Sequence, residues 1–420
     1  MGMMKASVIV LGAGMVGTST AYHLRQQGLE VVLVDARQPG LETSYGNAGV
    51  IQREAVEPYP FPRSVGKLLK VGLGLDNTVH YTPSALPGLA SRLLRYWWNS
   101  RPSAYGDIAG AYSALIRHAL DEHLPMIERA GASDQIIKDT GMYIMYRSAR
   151  EFTAEAAIAR QKAQQYGLKL DVLNGTELAS AQPMLKCSMA GALHWRDPWS
   201  IHGPGRLVGR YAELFGRDGG HFTIGHAQTL RRDGAGWQIG TADGVVQAEH
   251  VVIALGPWAR EVLQQFGYNV PLFVKRGYHR EYGAVKNCPD APLLDTHTGT
   301  MLAPMGDGVL RITTGADFSR FGAPPSLRQL TRCCHHAGEM LDLGGSRPKA
   351  GPWLGNRPCM PDMLPVIGPA PRHRGMWFHF GHGHQGITLG PVTGRMLAER
   401  IAGKTPFINM TPYLPERLNL

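Results

Sequence analysis

The first thirty-five residues most constrain the fold, because they combine a strand, a glycine-rich turn, a helical pattern and a second strand that ends in an acid. Residues 8–11 are an apolar run, and a G-x-G-x-x-G turn follows at Gly12, Gly14 and Gly17. Such a turn lets the backbone approach a pyrophosphate, and the helix after it directs N–H groups and a positive dipole end at the ligand. Asp35 ends the second strand, where a carboxylate can accept hydrogen bonds from ribose hydroxyls. This unit predicts a dinucleotide-binding domain.

The composition is that of a folded enzyme. The chain of 420 residues is long enough for two or three domains, and its 44% apolar residues predict a large core. A net charge of +10 would suit an anionic substrate, nucleic acid or an anionic membrane surface. Because no run of five Lys or Arg residues occurs, we expect no nucleic-acid partner and interpret the charge as a basic enzyme surface.

The five cysteines have neither C-x-x-C spacing nor neighbouring histidines at metal-ligand spacing. We therefore expect no metal, no disulfide framework and a reducing compartment. The first strand begins within a few residues of the N-terminus, which predicts no signal peptide. No apolar run reaches the about 18 residues of a membrane-spanning helix. The sequence thus predicts a cytoplasmic protein, or one peripheral to the inner face of the membrane.

Residues 86–100 are predicted to form an amphipathic helix. Its apolar side chains are Leu89, Leu93, Leu94, Trp97 and Trp98, with Arg92 and Arg95 among them. A basic helix that ends in tryptophans either packs into a second domain or rests on a membrane surface. Helical periodicity also predicts helices over residues 107–130 and 151–167.

The second half of the chain contains another strand–turn–helix unit. Before it, the pattern predicts a hairpin (236–239 and 245–248), a buried strand (251–256) and alternating strand-like segments (267–320). A strand over residues 376–380 then meets a glycine-rich turn at 381–386, and a final helix runs from about 388 to 401. Two ends of the chain therefore each present a helix N-terminus to a ligand.

Five separated motifs occur along almost the whole chain. They are the N-terminal turn with Asp35, E-T-S-Y-G-N-A-G at 42–49, V-I-A-L-G-P-W-A at 252–259, G-N-R-P at 355–358 with P-D at 361–362 and L-P-V-I-G at 364–368, and G-H-G-x-x-G from 381. Their order and spacing resemble the flavoproteins of the D-amino-acid oxidase and glycine/sarcosine oxidase superfamily. Residues 43–49 are most similar to bacterial D-amino-acid dehydrogenases. Residues 50–54 depart from that pattern and resemble a subgroup suspected of acting on D-hydroxyproline-type cyclic amino acids.

The resemblance implies an α/β fold with a Rossmann-like FAD-binding domain and an inserted α+β substrate domain with a mixed or antiparallel sheet. The FAD domain is expected to comprise residues 1–85, 185–265 and 350–420, and the substrate domain residues 86–184 and 266–349. FAD is expected to be bound non-covalently, because the spacing of Cys359 from the neighbouring motif differs from a covalent attachment pattern.

The resemblance also implies which residues contact FAD. Gly12, Gly14 and Gly17 would hold the pyrophosphate, Asp35 the ribose, and the turn at 381–386 the flavin, whose reduced ring a helix N-terminus stabilises. The other expected contacts are Met15, Val16, Ala36, Thr43, Ser44, Asn47, Ala48, Gly49, Val50, Gln228, Ala254, Leu255, Gly256, Trp258, Gly381, Gly383, His384, Gln385, Gly386, Ile387 and Thr388. Gln228 stands where the family usually has a valine.

Three residues are candidates for the chemistry. Arg357, in the G-x-R-P motif, would grip the substrate carboxylate with its planar guanidinium, although a structural ion pair is the alternative. His384 could hydrogen-bond the substrate, tune the flavin or be an ordinary loop histidine. Tyr278 could close the pocket over the substrate or be a core tyrosine.

The activity that the resemblance implies is oxidative deamination of a D-amino acid, with D-proline and cis-4-hydroxy-D-proline as candidate substrates. Hydride would pass from the α carbon to the flavin, and electrons would continue to a quinone or an artificial dye. Two alternatives stay open on the sequence: an oxygen-dependent oxidase of glycine, sarcosine or a related amine, and a flavin-bearing subunit of a larger dehydrogenase complex.

Overall fold

The computed structural model describes residues 3–420, which form a layered α/β structure. The strands are β1 (Met3–Leu11), β2 (Val31–Asp35), β3 (Val50–Ile51), β4 (Val79–Tyr81), β5 (Ile136–Ile137), β6 (Met142–Tyr146), β7 (Leu170–Asn174), β8 (Gly191–Trp195), β9 (Trp199–Ile201), β10 (His221–Ile224), β11 (Arg231–Asp233), β12 (Gly236–Thr241), β13 (Gly244–Ile253), β14 (Phe273–Tyr282), β15 (Leu293–Asp295), β16 (Thr300–Pro304), β17 (Leu310–Thr313), β18 (Ala316–Phe318), β19 (Trp353–Cys359), β20 (Val366–Pro369) and β21 (Met376–Phe380). The helices are α1 (Met15–Gln26), α2 (Val65–Gly72), α3 (Leu86–Asn99), α4 (Pro102–Ile116), α5 (Ala119–Ala130), α6 (Ala149–Tyr166), α7 (Gly175–Ala181), α8 (Pro204–Arg217), α9 (Ala259–Gln264), α10 (Arg328–Met340) and α11 (Gly386–Ile401).

The first sheet is built around parallel strands in the order β10-β2-β1-β13. Strand β13 then pairs antiparallel with β12 over its first residues and parallel with β21 over its last ones. Val8 and Val10 of β1 pack in one apolar cluster, and Ile9 and Leu11 in another on the opposite face. Burial on both faces is typical of a parallel sheet covered on each side.

A second sheet is mostly antiparallel and has the order β4-β18-β14-β17-β16-β15-β6-β8-β7, with β19 beside β14. The short strands β3, β9 and β5 form a third sheet. The combination of a Rossmann-like parallel sheet with a mixed second sheet confirms the predicted fold class. The parallel sheet combines strands from separate segments of the predicted FAD domain, as expected for a Rossmann-like domain with an inserted substrate domain.

Three strands lie next to the boundaries between the predicted domain segments. β4, β8 and β19 lie in segments expected to belong to the FAD domain, but all three pair within the second sheet. The sequence pattern of a short strand shows that it is half-buried, not which strand lies beside it, so these partners could not be predicted. We propose the two-domain division with these three strands assigned to the substrate domain.

Close packing of α1 against α11 joins the two ends of the chain. A Cβ at Gly394 would come within 2.9 Å of the backbone N of Thr20, and one at Gly390 within 2.6 Å of the Met15 side chain. These two glycines therefore let the helices approach closely. The contact holds the N-termini of both helices beside the same cavity.

The helices follow the predictions with one difference. The predicted helix over residues 107–130 is two helices, because the chain turns at Arg117 and His118 between α4 and α5. Among the strands, those predicted at 245–248 and 251–256 are continuous in β13, which ends at Ile253, so residues 254–256 follow the strand. No helix within residues 3–420 is long and apolar enough to cross a membrane.

Candidate active site

A cavity of about 1110 Å³ lies between the first and second sheets. It extends from Asp35, at the carboxyl end of β2, to Arg357 on β19. Most of the expected site residues line it. The exceptions are Gly17, Gly49, Gln385 and Thr388, which lie behind the wall rather than on its surface.

The glycine-rich turn at one end is shaped by contacts that leave no room for side chains. Gly12 has φ +105°, and a Cβ there would collide with the carbonyl oxygen of Ala254. A Cβ at Gly17 would collide with the carbonyl oxygen of Gly12, which explains why Gly17 matters although it does not face the cavity. Ser44 Oγ accepts a hydrogen bond from the backbone N of Met15 at 3.0 Å and so joins residues 42–49 to this turn.

Asp35 is tied to the same turn. Its carboxylate accepts hydrogen bonds from the backbone N of Ala13 at 2.6 Å and of Arg37 at 3.0 Å. Burial raises the pKa of Asp35, whereas these backbone donors and the Arg37 charge lower it. The carboxylate thus lies at the cavity wall beside the turn. Ala36, Gln228, Leu255, Gly256 and Trp258 also line the cavity.

The loop over residues 43–49 is held by a buried arginine that the sequence analysis missed. Arg311 of β17 is 2% exposed and donates to the carbonyl oxygens of Tyr45 at 2.7 Å and Asn47 at 2.6 Å. Glu281 accepts a further hydrogen bond from it at 2.6 Å. Within the loop, Asn47 Oδ1 accepts from the backbone N of Gly49 at 2.8 Å. Arg311 therefore fixes this loop to the second sheet.

The second glycine-rich turn leads into α11 at the other side of the cavity. Gly381 and Gly383 both have positive φ, and Gln385 precedes the first residue of the helix. The Gln385 side chain donates to Gln52 Oε1 at 2.7 Å and lies 3.1 Å from His384 Nε2. Thr388 accepts from the backbone N of Gln52 at 3.1 Å. Gln385 and Thr388 therefore position the turn against residues 50–54.

Arg357 of β19 extends its guanidinium across β14. Its Nη1 donates to the carbonyl oxygen of Gly315 at 2.8 Å and its Nη2 to that of Thr314 at 3.2 Å. A Cβ at Gly277 would come within 2.5 Å of Nη2, so this glycine makes room for the side chain. No carboxylate of residues 3–420 forms a salt bridge with Arg357, which excludes the structural ion pair considered above within that range.

Tyr278, which could close the pocket or be a core tyrosine, lines the cavity but directs its hydroxyl to other protein groups. Its hydroxyl donates to Asp317 at 2.8 Å and accepts from Arg276 Nη2 at 2.7 Å and from the backbone N of Ser326 at 3.1 Å. The side chain is 2% exposed. Its hydroxyl is therefore committed to a buried polar cluster behind the cavity wall.

His384 lines the cavity beside Tyr59, with the ring centroids 5.2 Å apart. Burial lowers the pKa of His384 to about 3, and the positive charges of Arg357 and Lys275 contribute. Burial lowers the pKa of His382 to about 3 as well, while its Nε2 lies 3.1 Å from Thr393 Oγ1. Both imidazoles are neutral near pH 7 and offer hydrogen bonds rather than charge.

Two further cavity residues were missed by the sequence analysis. Lys275 donates to the hydroxyl of Tyr96 at 2.9 Å, and both side chains line the cavity near Arg357. Lys275 is preceded by no motif, and only its pairing opposite Arg357 across β14 and β19 brings it into the site. Such a residue has no local signal in the sequence.

The residues described fit FAD. The first turn packs so closely against backbone that Gly12 and Gly17 leave no room for a Cβ, and Gly12 and Gly14 line the cavity beside the α1 N-terminus. From there the cavity continues to the α11 N-terminus. The model for the FAD dependent oxidoreductase family (DAO) matches residues 7–400. This chain belongs to that family. It is an FAD-dependent oxidoreductase, which confirms the predicted enzyme class and cofactor.

The chain is similar over nearly its whole length to known proteins. It is 28% identical over 422 residues to a D-amino-acid oxidase of Bradyrhizobium diazoefficiens, covering 98% of each chain. It is 29% identical to a D-amino acid dehydrogenase of Paramagnetospirillum magneticum, covering 96% of each. The solved glycine oxidase of Geobacillus kaustophilus superposes with a TM-score of 0.74 at 20% identity, covering 98% of each chain, and shows the shared fold.

Proposed function

We propose that this protein oxidises a D-amino acid with FAD and passes the electrons to a quinone or another acceptor. The observation that carries the proposal is Arg357, a cation on the cavity wall whose donors meet only two backbone carbonyls within the described residues. A guanidinium binds a carboxylate through two parallel hydrogen bonds and so fixes its orientation. The names of the relatives that match along the whole chain support D-amino acids as substrates.

One set of cavity residues would hold FAD, and another would hold the substrate. Gly12, Gly14, Asp35 and Ser44 would hold the adenosine and pyrophosphate part, and the α11 N-terminus would face the flavin. When bound, FAD supplies the acceptor for the hydride that leaves the α carbon. The substrate loses two electrons and two protons in total and becomes an imino acid, which water hydrolyses to an oxo acid and ammonia.

Arg357 would orient the α carbon by holding the carboxylate. Acidic side chains at the described cavity wall are limited to Asp35 and Glu42, both at the end where α1 begins, so neither can take the amine proton. His384, with its pKa lowered to about 3, is too weak a base for that role near pH 7. We propose that the substrate binds with its amine neutral. Positioning and exclusion of water would supply the rate enhancement.

The proposal includes a lipophilic acceptor reached at a membrane surface. Val65, Leu69, Leu73 and Leu75, on and just after α2, are 59–73% exposed, and Leu94 and Trp98 of α3 are 64% and 57% exposed. Arg63 and Arg101 lie over Trp97 and Trp98 at 4.3 Å and 4.5 Å. Apolar side chains flanked by cations suit an anionic bilayer. Leu68 and Val71 of α2 also line the cavity, so this surface adjoins the site.

Anaerobic mixing of the FAD-loaded protein with amino acids tests the proposal. The panel contains D- and L-alanine, D-proline, cis-4-hydroxy-D-proline, glycine and sarcosine, and loss of flavin absorbance reports reduction. Reduction by D-amino acids in preference to their L forms supports the proposal, and the two proline analogues show whether a cyclic substrate is preferred. Reduction only by glycine or sarcosine would contradict the proposal and indicate a glycine- or sarcosine-type amine oxidase instead. A flavin that dithionite reduces but no amino acid does would contradict the substrate class.

Adding air or a quinone to the reduced enzyme then identifies the acceptor. Rapid reoxidation by quinone and slow reoxidation by oxygen is the expected result for a dehydrogenase. Faster reoxidation by oxygen would make the protein an oxidase. Co-sedimentation with vesicles that contain anionic lipid, which Leu73→Ser and Leu94→Ser should weaken, tests the membrane surface. If these variants sediment with the vesicles as much as the wild type does, the proposed membrane surface is refuted.

A further inference from the structure

Arg357 has a second cation directly opposite it in the sheet. Lys275 of β14 and Arg357 of β19 are register partners in the antiparallel pair, and directly opposite residues point to the same face. The guanidinium extends over Gly277, and the ammonium is directed to Tyr96. Both line the same cavity, and both positive charges contribute to the low pKa of His384. Two cations therefore face one end of the cavity.

Lys275 is held by neutral groups. Its Nζ donates to the Tyr96 hydroxyl at 2.9 Å and lies 4.3 Å from the centre of that ring. The rings of Phe273 and Phe318 are each 5.9 Å away. The side chain is half-buried, and no carboxylate in the described chain forms a salt bridge with it. Two of its three N–H groups thus have no protein acceptor in that range.

The charge at this end of the cavity is unbalanced. A buried cation is costly unless a partner compensates it. Among the described lining residues the acids are Asp35 and Glu42, and Glu42 pairs with Arg37 at 2.9 Å at the other end. One substrate carboxylate would compensate Arg357 and leave Lys275 uncompensated.

We propose that Lys275 forms a second anion-binding position, and that the preferred substrate is an amino acid with an additional carboxylate. This inference rests on the proposed function, because it assigns the α-carboxylate to Arg357. Arg357 bonds to the carbonyls of Gly315 and Thr314, whereas Lys275 bonds to Tyr96, so each cation has its own neighbours and can hold a separate carboxylate. A dicarboxylic D-amino acid such as D-aspartate or D-glutamate has the required chemistry.

The test compares acidic and neutral substrates on the FAD-loaded enzyme. Anaerobic flavin reduction yields a rate constant and an apparent Kd for D-aspartate, D-glutamate, D-alanine and cis-4-hydroxy-D-proline. We expect the acidic substrates to have the higher ratio of rate constant to Kd. In Lys275→Gln, which keeps a donor for Tyr96 but removes the charge, the preference for acidic over neutral substrates should fall about tenfold to a hundredfold. Lys275→Arg should restore much of it.

Lys404→Gln is the matched control, because Lys404 is exposed on the segment that follows α11. Its substrate preference should equal that of the wild type. A wild-type enzyme that prefers D-alanine or cis-4-hydroxy-D-proline would overturn the inference about Lys275 and leave the proposed function standing. The inference would also be overturned if Lys275→Gln lowered the ratio of rate constant to Kd equally for acidic and neutral substrates. That result would show that Lys275 acts on the fold or the cofactor.

A binding measurement separates this inference from the proposed function. Glutarate and butyrate are not oxidised, and their binding is read from the change they cause in the flavin absorption spectrum. Tighter binding of glutarate, lost in Lys275→Gln and retained in Lys275→Arg, supports the second anion position even if no amino acid reduces the flavin. Equal affinities for glutarate and butyrate in the wild type would contradict it.

Discussion

Replacement of Glu54 by glutamine should change how the stability of this protein depends on pH. Glu54 is 7% exposed and follows β3. Its Oε1 accepts from Gln52 Nε2 at 2.8 Å, while its Oε2 has no hydrogen-bond partner in the described chain. Burial raises the pKa of Glu54 to about 7, from 4.5 for an exposed glutamate. Nearby, the Asp197 charge raises this pKa and the Arg53 charge lowers it.

The sign and size of the effect follow from proton binding. Between pH 4.5 and 7 the folded state keeps the Glu54 proton and the unfolded state releases it, so the free energy of unfolding falls as pH rises. At about 1.36 kcal/mol per pKa unit, the loss approaches about 3 kcal/mol by pH 7 and persists above it. Glutamine keeps the hydrogen bond from Gln52 and does not ionise. Glu54→Gln should therefore match the wild type near pH 4.5 and be more stable by up to about 3 kcal/mol at pH 8.

Urea unfolding of the FAD-loaded proteins at several pH values measures this difference. Subtracting the wild-type values from those of the variant isolates Glu54, because buried histidines such as His382 contribute equally to both. Their lowered pKa values make stability fall as the pH drops below about 6.5, which is the opposite trend. A difference between variant and wild type that stays constant from pH 4.5 to 8 would refute the argument.

Three other changes have definite expected outcomes. Gly12→Ala should abolish FAD binding in a protein that still folds, because its Cβ would collide with the Ala254 carbonyl; a normal flavin spectrum after purification would contradict this. Tyr278→Phe should cost about 1–3 kcal/mol in urea unfolding, because it removes the hydroxyl that bonds to Arg276, Asp317 and the backbone N of Ser326. A tenfold rise in substrate Kd without that loss would show instead that the hydroxyl contacts the substrate. Acid precipitation should release all the FAD into the supernatant, since burial raises the pKa of the Cys359 thiol and keeps it protonated; yellow protein in the pellet would indicate a covalent bond.

Much of the site could be predicted, because its residues belong to short sequence motifs. The turn at Gly12, Gly14 and Gly17 could be read directly, because a pyrophosphate cradle needs glycines at that spacing between a strand and a helix. Arg357 could be found through its motif, and the structure places it on the cavity wall without an ion-pair partner in the described chain.

Residues whose roles depend on distant partners could not be predicted. Lys275 and Arg311 enter the site only through strand pairing and loop contacts that span long stretches of chain. The Tyr278 hydroxyl is directed in part by Asp317, which lies 39 residues further along the chain and which the pattern around Tyr278 does not reveal. The sheet partners of β4, β8 and β19 could not be predicted for the same reason, because alternation shows burial and not neighbours.

The most direct test of the account is the affinity of the FAD-loaded Arg357→Gln variant for a D-amino acid, measured by anaerobic flavin reduction. Exposed Arg400, on the last turns of α11, provides the matched control Arg400→Gln. We expect Arg357→Gln to retain FAD and to lose about tenfold to a hundredfold or more in apparent affinity, with the control unchanged. An unaltered Kd in Arg357→Gln would show that the carboxylate binds elsewhere and would contradict the account.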